Sequence, residues 1–161
     1  MPDTIVLRFR DLLADTITEH QKVITEFGYV WWGWWKKQDE PDRTDELNEL
    51  QARLSKQRIE IGLFDRSGKE RFFKACLLEC IHQEGKLIPS PDGRATPSYY
   101  RESSVSAWFK LSRIDELSPA DASMKRLFAV IPAGEACFPF GLIDQNKRWL
   151  PESGPVLWAT Q

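Results

Sequence analysis

Tyr29-Val30-Trp31-Trp32-Gly33-Trp34-Trp35-Lys36-Lys37 is the stretch on which the fold turns, because it holds four of the chain's seven tryptophans within five positions. Read as a strand, its period of two sets Val30, Trp32 and Trp34 on one face and Trp31, Gly33, Trp35 and Lys37 on the other. One such face is enough to build a core. The opposite face then offers two indoles around a glycine, where a flat ring can approach the backbone, with ammonium groups at the rim. A nucleobase or similar aromatic ligand would stack on such a surface. The plainer alternative makes all four rings structural, since aromatics are favoured in strands and bury large areas.

Upstream, residues 4–10 alternate, with Ile5, Leu7 and Phe9 on one side and Val6, Arg8 and Arg10 on the other, as in a half-buried strand. A helix follows: Thr16 and Glu19 have capping-box spacing, Leu13, Ile17, Val23, Ile24 and Phe27 recur with helical period, and Gly28 stands where a helix stops. The opening unit is therefore strand, helix, aromatic strand.

Downstream, the polar Asp39, Glu40, Pro41 and Asp42 and a short amphipathic helix over 44–57, marked by Leu47, Leu50 and Leu54, read together as a surface excursion. Residues 58–64 alternate with Ile59, Ile61 and Leu63 inward. Asp65 to Lys69 supply turn chemistry, and 71–82 form a return strand that is apolar on both faces, as a covered central strand is. Residues 83–98 hold Gly85, Pro89, Pro91, Gly93 and Pro97 and no periodicity; a loop this long in a small domain is more often functional than decorative. It delivers Tyr99, Tyr100 and Arg101 to a strand with Val105, Ala107, Phe109 and Leu111 on one side and Ser106, Trp108, Lys110 and Ser112 on the other. Among those polar neighbours Trp108 is expected to be an exposed aromatic unless another element covers it. Residues 113–122 read as a short helix or turn, 125–131 and 137–143 as further strands, and Asp144-Gln145-Asn146 as a tight turn. The apolar Val156-Leu157-Trp158 end fits a strand that docks back, or a recognition domain cut from a longer polypeptide.

The 161 residues, 42% hydrophobic and 29% charged, suit one domain over 1–161 with a proper core. A net charge of -2 argues against a broad electrostatic grip on a nucleic-acid backbone and leaves room only for a local basic patch. Cys76, Cys80 and Cys137 are too few and scattered for a disulfide framework; with no signal-peptide pattern the expected location is cytoplasmic, and no apolar run reaches the length of a membrane span. On a regular strand Cys76, Cys80 and His82 share a face, yet no Cys-x-x-Cys pair exists, so inert thiols are expected rather than a metal site. His20, beside Glu19 and Asp15, reads as a solvated helix-surface histidine. Ser103 and Ser104 have no partner base in view, and no glycine loop cradles a phosphate. No catalytic residue, metal or cofactor is expected.

Six or seven strands with one helix between the first two, and a short extra helix, predict an α+β fold: a small, curved, partly closed β-barrel. The order of strand, helix, aromatic strand, hairpin from Ile59 to Ile81 and loop into Trp108-Phe109-Lys110-Leu111 resembles the PUA-like superfamily, which includes EVE, ASCH and YTH domains, over residues 4–143. The resemblance implies nucleic-acid reading and, from the EVE and YTH branches, a modified base held in an aromatic pocket. The helix at 44–57 and the acidic balance depart from it. The expected function is a non-catalytic reader of nucleic acid or a nucleotide. Trp31, Trp34 and Trp35 would stack the base, Tyr99, Tyr100 and Trp108 would cover it or bond its edge, and Lys36, Lys37 and Arg101 would meet phosphates. The alternative is a protein–protein interaction module that uses the same aromatics to dock onto an effector, such as a second domain of the same polypeptide.

Overall fold

The first helix shows how local chemistry sets the entrance to the site. In the computed structural model, which describes residues 4–35, 44–56, 59–65, 67, 71–117, 138–143 and 149–160, strand β1 (Thr4–Phe9) runs into a bend before α1 (Thr16–Phe27). Asp15 caps α1, its carboxylate accepting from the Thr18 N–H at 3.0 Å, while Asp11 Oδ1 accepts from the Thr16 N–H at 3.0 Å. Thr16 is thus the first helical residue and not the cap that its spacing to Glu19 suggests, because two aspartates already hold the N–H groups left open at the helix start. Leu13 consequently lies before the helix and is exposed, not on its apolar face. At the other end Gly28, at φ 84°, closes α1 with its N–H on Ile24 O at 2.7 Å.

Then follow β2 (Val30–Trp34), α2 (Thr44–Leu54), β3 (Ile59–Asp65), β4 (Phe72–His82), the two-residue β5 (Ile88–Pro89), a 3-10 turn (Gly93–Ala95), the two-residue β6 (Ser104–Val105), β7 (Ala107–Leu117), β8 (Phe138–Ile143) and β9 (Trp149–Thr160). Seven strands form one sheet in the order β2-β7-β4-β3-β1-β9-β8, and β5 pairs with β6 beside it. Most pairs are antiparallel; β1 lies parallel to both β3 and β9.

This is an α+β fold, but the sheet is not closed into the expected barrel: β2 and β8 are its two ends and do not pair with each other. The physical reason is the helices. Ile17 of α1 and Leu47 and Leu50 of α2 enter the main core beside Phe9, Trp32, Leu63, Phe73 and Phe109, so helices bury the inner face that a barrel would bury by rolling up. Helix α2, read as a surface excursion, is a structural part of that layer.

Strand β4 is central between β3 and β7, as its two-sided apolar pattern predicts. It is not regular, however. Register shifts between Cys76 and Leu77 and between Leu77 and Glu79 change its phase, so Cys80 joins the core while Cys76 lies among Glu60, Lys74, Arg113 and Asp115. The two cysteines therefore do not share a face, and His82 bonds Asn48 of α2 at 3.1 Å. Strand β7 runs on to Leu117, where a helix or turn is expected from 113, because its pairing with β4 continues to Phe72 and Leu117. The C-terminal segment does dock back, as β9 against β1. The expected strand at 125–131, the 144–146 turn, Cys137, Lys36 and Lys37 lie outside the described residues. Among the described residues no helix is long and apolar enough to cross a membrane.

Candidate functional site

The two faces of β2 separate as the period of two predicts, yet both are covered. Val30, Trp32 and Trp34 point into the main core; Trp31 joins a second cluster with Ile88, Ala95, Tyr100, Val105 and Trp108. The second cluster exists because the segment between β4 and β7 folds back over the outer ends of β2 and β7. Trp108, expected to be exposed unless covered, is completely buried under that segment, and its indole N–H donates to Ile88 O at 2.9 Å. Gly33 is required here: a Cβ on it would sit 3.2 Å from Trp108 Cζ3 and 3.3 Å from Val105 Cγ2.

Tyr100 is the hinge between this cluster and solvent. Its ring stacks on Trp108 with centroids 5.9 Å apart and planes 14° off parallel. Trp35 and Tyr99 both stand edge-on to it, at 5.1 Å and 69° and at 4.8 Å and 71°. These three rings form one side of an open recess of about 440 Å³. Leu12 and Leu13, 73% and 80% exposed, and Arg10 form the facing rim, with Thr16 and Ser103 between. The volume is that of a site for a small organic molecule, and its wall is mostly apolar with a few polar groups, as such sites are.

Behind the recess, a buried hydrogen-bonded chain fixes Tyr100. His20, expected on the helix surface, is completely buried and lies over Trp32 with ring centroids 4.3 Å apart. Burial lowers its pKa to about 3, with the Thr16 carbonyl opposing, so the ring is neutral. Its Nδ1 lies 2.6 Å from Thr16 O, and a carbonyl can only accept, so Nδ1 carries the proton and Nε2 is the acceptor facing the Tyr100 hydroxyl. That hydroxyl also lies 3.0 Å from Trp31 O, so its one proton serves two acceptors. The Tyr100 hydroxyl is committed to the interior, and only the ring is presented to the recess. Burial likewise pushes the Tyr99 hydroxyl up to about 12; the Thr16 side chain opposes this, and the carboxylates of Asp11, Glu19 and Asp15 add to it.

Of the residues that sequence reasoning selects, the recess brings together Trp35, Tyr99 and Tyr100. Trp31 and Trp108 stand behind Tyr100 in the second cluster, and Trp34 faces the main core. Arg101 is exposed, with Nη2 donating to Thr96 O at 3.3 Å, and does not line the recess. Arg10, Leu12, Leu13, Thr16 and Ser103 went unselected. The one signal for them was a pair of adjacent leucines flanked by Asp11 and Asp15, which a helical period absorbs too readily. Burial also pushes the Cys80 thiol up to about 12, an unreactive state.

A family model described as Pua-like matches residues 5–131 of the chain. PUA-like domains generally bind RNA or other nucleic acid and are typically non-catalytic. No curated protein and no solved structure matches the chain.

Proposed function

The chain belongs to the PUA-like family, and from that premise we propose that it is a non-catalytic reader which holds one nucleobase of a nucleic acid or nucleotide in the recess bounded by Trp35, Tyr99 and Tyr100. The observation that carries this reading is the recess itself: three aromatic rings, two of them set at 69° and 71° to the third, line one side of an open cavity of about 440 Å³. Stacking on one such ring contributes about 1–3 kcal/mol and tolerates any base, so modest affinity follows without extensive phosphate contacts. That suits a chain with a net charge of -2. In this reading Trp31 and Trp108 act through Tyr100, which they hold from behind, and Trp34 contributes to the core. Lys36 and Lys37, which follow Trp35 directly in the sequence, meet phosphates together with Arg10 and Arg101. The 161 residues act as one recognition domain in the cytoplasm, which accords with free thiols at Cys76 and Cys80.

Titration with nucleosides and short oligonucleotides, followed by intrinsic tryptophan fluorescence, tests the proposal. Saturable quenching is expected, and Trp35→Ala is expected to weaken binding about tenfold or more while the protein stays folded by circular dichroism. Absence of quenching by every nucleoside, or undiminished affinity in Trp35→Ala, would overturn it.

The exposed Leu12 and Leu13 favour a second reading, an interaction module that buries them against a protein partner. Partner binding that Trp35→Ala and a Leu12→Ser, Leu13→Ser double variant both abolish, with no nucleoside binding, would establish that reading in place of the first.

A further inference from the structure

We infer that the recess prefers a base made cationic at neutral pH by N-methylation over its neutral isomer. The inference rests on the reading of the recess as a base site, and it names the class of base. Aromatic faces carry negative electrostatic potential, and a cation held among several of them gains attraction that a neutral ring of the same size does not. Trp35, Tyr99 and Tyr100 supply three such rings, two set at 69° and 71° to the third, which is the arrangement of a partial box and not of a single flat platform.

Carboxylates stand close to the box, inside its cationic rim. Thr16 lines the recess, and three carboxylates are gathered about it. Asp11 holds its N–H at 3.0 Å, Asp15 is its neighbour, and Glu19 lies one helical turn further on. Two of these carboxylates are ion-paired, Glu19 with Lys22 and Asp11 with Arg71, at partners shared with solvent or with another acid. Arg71 puts Nε and Nη2 on the buried Asp65 at 3.2 and 3.0 Å, with Asp11 only at 3.8 Å, and Lys22, which meets Glu19 at 2.9 Å, is two-thirds exposed. After burial, the influences that raise the Tyr99 hydroxyl are Asp11, Glu19 and Asp15, so all three carboxylates act on that wall. Arg10 is the one charged side chain among the lining residues, and it is exposed at the rim, where it suits the phosphate next to the base and not the base itself. A trimethylammonium head would satisfy the rings too, but about 440 Å³ with an aliphatic rim at Leu12 and Leu13 is room for a whole nucleoside.

The test uses two isomers of equal size: 1-methyladenosine, a cation at neutral pH, and N6-methyladenosine, which is neutral. Each is titrated into the full chain and followed by tryptophan fluorescence. The cation is expected to bind about tenfold more tightly. Raising the pH until 1-methyladenosine loses its proton should remove that advantage. Glu19→Gln combined with Asp11→Asn, which keeps an acceptor for the Thr16 N–H, should narrow the gap while leaving N6-methyladenosine affinity unchanged. Equal affinities, or tighter binding of the neutral isomer, would overturn the charge preference and leave the base site standing. If neither isomer nor any other nucleoside quenches the fluorescence, the base site falls and this inference with it. Tighter binding of a trimethyllysine peptide than of 1-methyladenosine would overturn it in favour of a protein tail.

Discussion

Acidifying the protein should destabilise it chiefly through one residue, His20. In the folded chain this imidazole is completely buried and its pKa lies at about 3, against 6.5 for the free side chain. Above pH 6.5 the ring is neutral in both states and pH has no hold on it. As pH falls below 6.5 the unfolded chain takes up a proton that the folded chain refuses, so stability is lost across the window from 6.5 down to about 3. The full shift corresponds to roughly 5 kcal/mol, of which roughly 2 kcal/mol, a thirtyfold change in the folding equilibrium, is lost by pH 5. That is a large share of the stability of an ordinary domain. Urea denaturation followed by tryptophan fluorescence at pH 7, 6 and 5 measures it directly. His82 also has a lowered pKa, from burial, and contributes with the same sign, so His82→Gln serves as the control and should keep most of the slope. His20→Gln should be less stable at pH 7, because Tyr100 and Thr16 lose a partner, yet nearly flat from pH 7 to 5. A wild-type midpoint that does not move over this range, or a His20→Gln protein with the wild-type slope, would refute the reasoning.

Other substitutions probe separate parts of the structure. Gly33→Ala brings a methyl to 3.2 Å from Trp108 Cζ3 and 3.3 Å from Val105 Cγ2, both completely buried, so thermal unfolding should register a loss of about 1–3 kcal/mol. The Leu12→Ser, Leu13→Ser double variant should keep the folding free energy to within about 0.5 kcal/mol, since both side chains are exposed, but weaken ligand binding in the fluorescence titration. Arg71→Met leaves the completely buried Asp65 carboxylate without its cation and should cost about 3 kcal/mol in urea denaturation. Alkylation of the native protein at pH 8, with peptide mapping, should modify Cys76 well before Cys80, whose thiol burial holds near 12.

The sequence is most legible where a local period meets a local signal. Alternation along β2 predicted which indoles share a face, and Gly28 marked the end of α1 because no other residue accepts φ 84° so cheaply. Local periods fail where tertiary structure intervenes. Nothing in residues 105–112 reveals that the loop before them returns to cover Trp108, so polar sequence neighbours stood in for spatial ones. The register shifts in β4 invert the face of Cys76 relative to Cys80, and a strict period of two cannot anticipate a bulge. His20 looked solvated because its sequence neighbours Glu19 and Asp15 are acidic. In space its neighbours are Trp32 and Tyr100, the latter 80 positions away. Aromatic residues beside β2, the type the sequence singles out, wall the recess, but its rim comes from the bend before α1. The sequence pattern assigned Leu13 to the helix itself.

The parallel pairing of β1 with β9 has a consequence for how this molecule comes to exist. Strand β1 leaves the ribosome long before its partner β9, since Thr4 pairs with Val156 and Arg8 with Thr160. Until those residues are made, one border of β1 offers bare amide and carbonyl groups to any extended chain that drifts past, which is a recipe for clumping. A gene fragment that stops at position 131, where the family match ends, would make that vulnerability permanent.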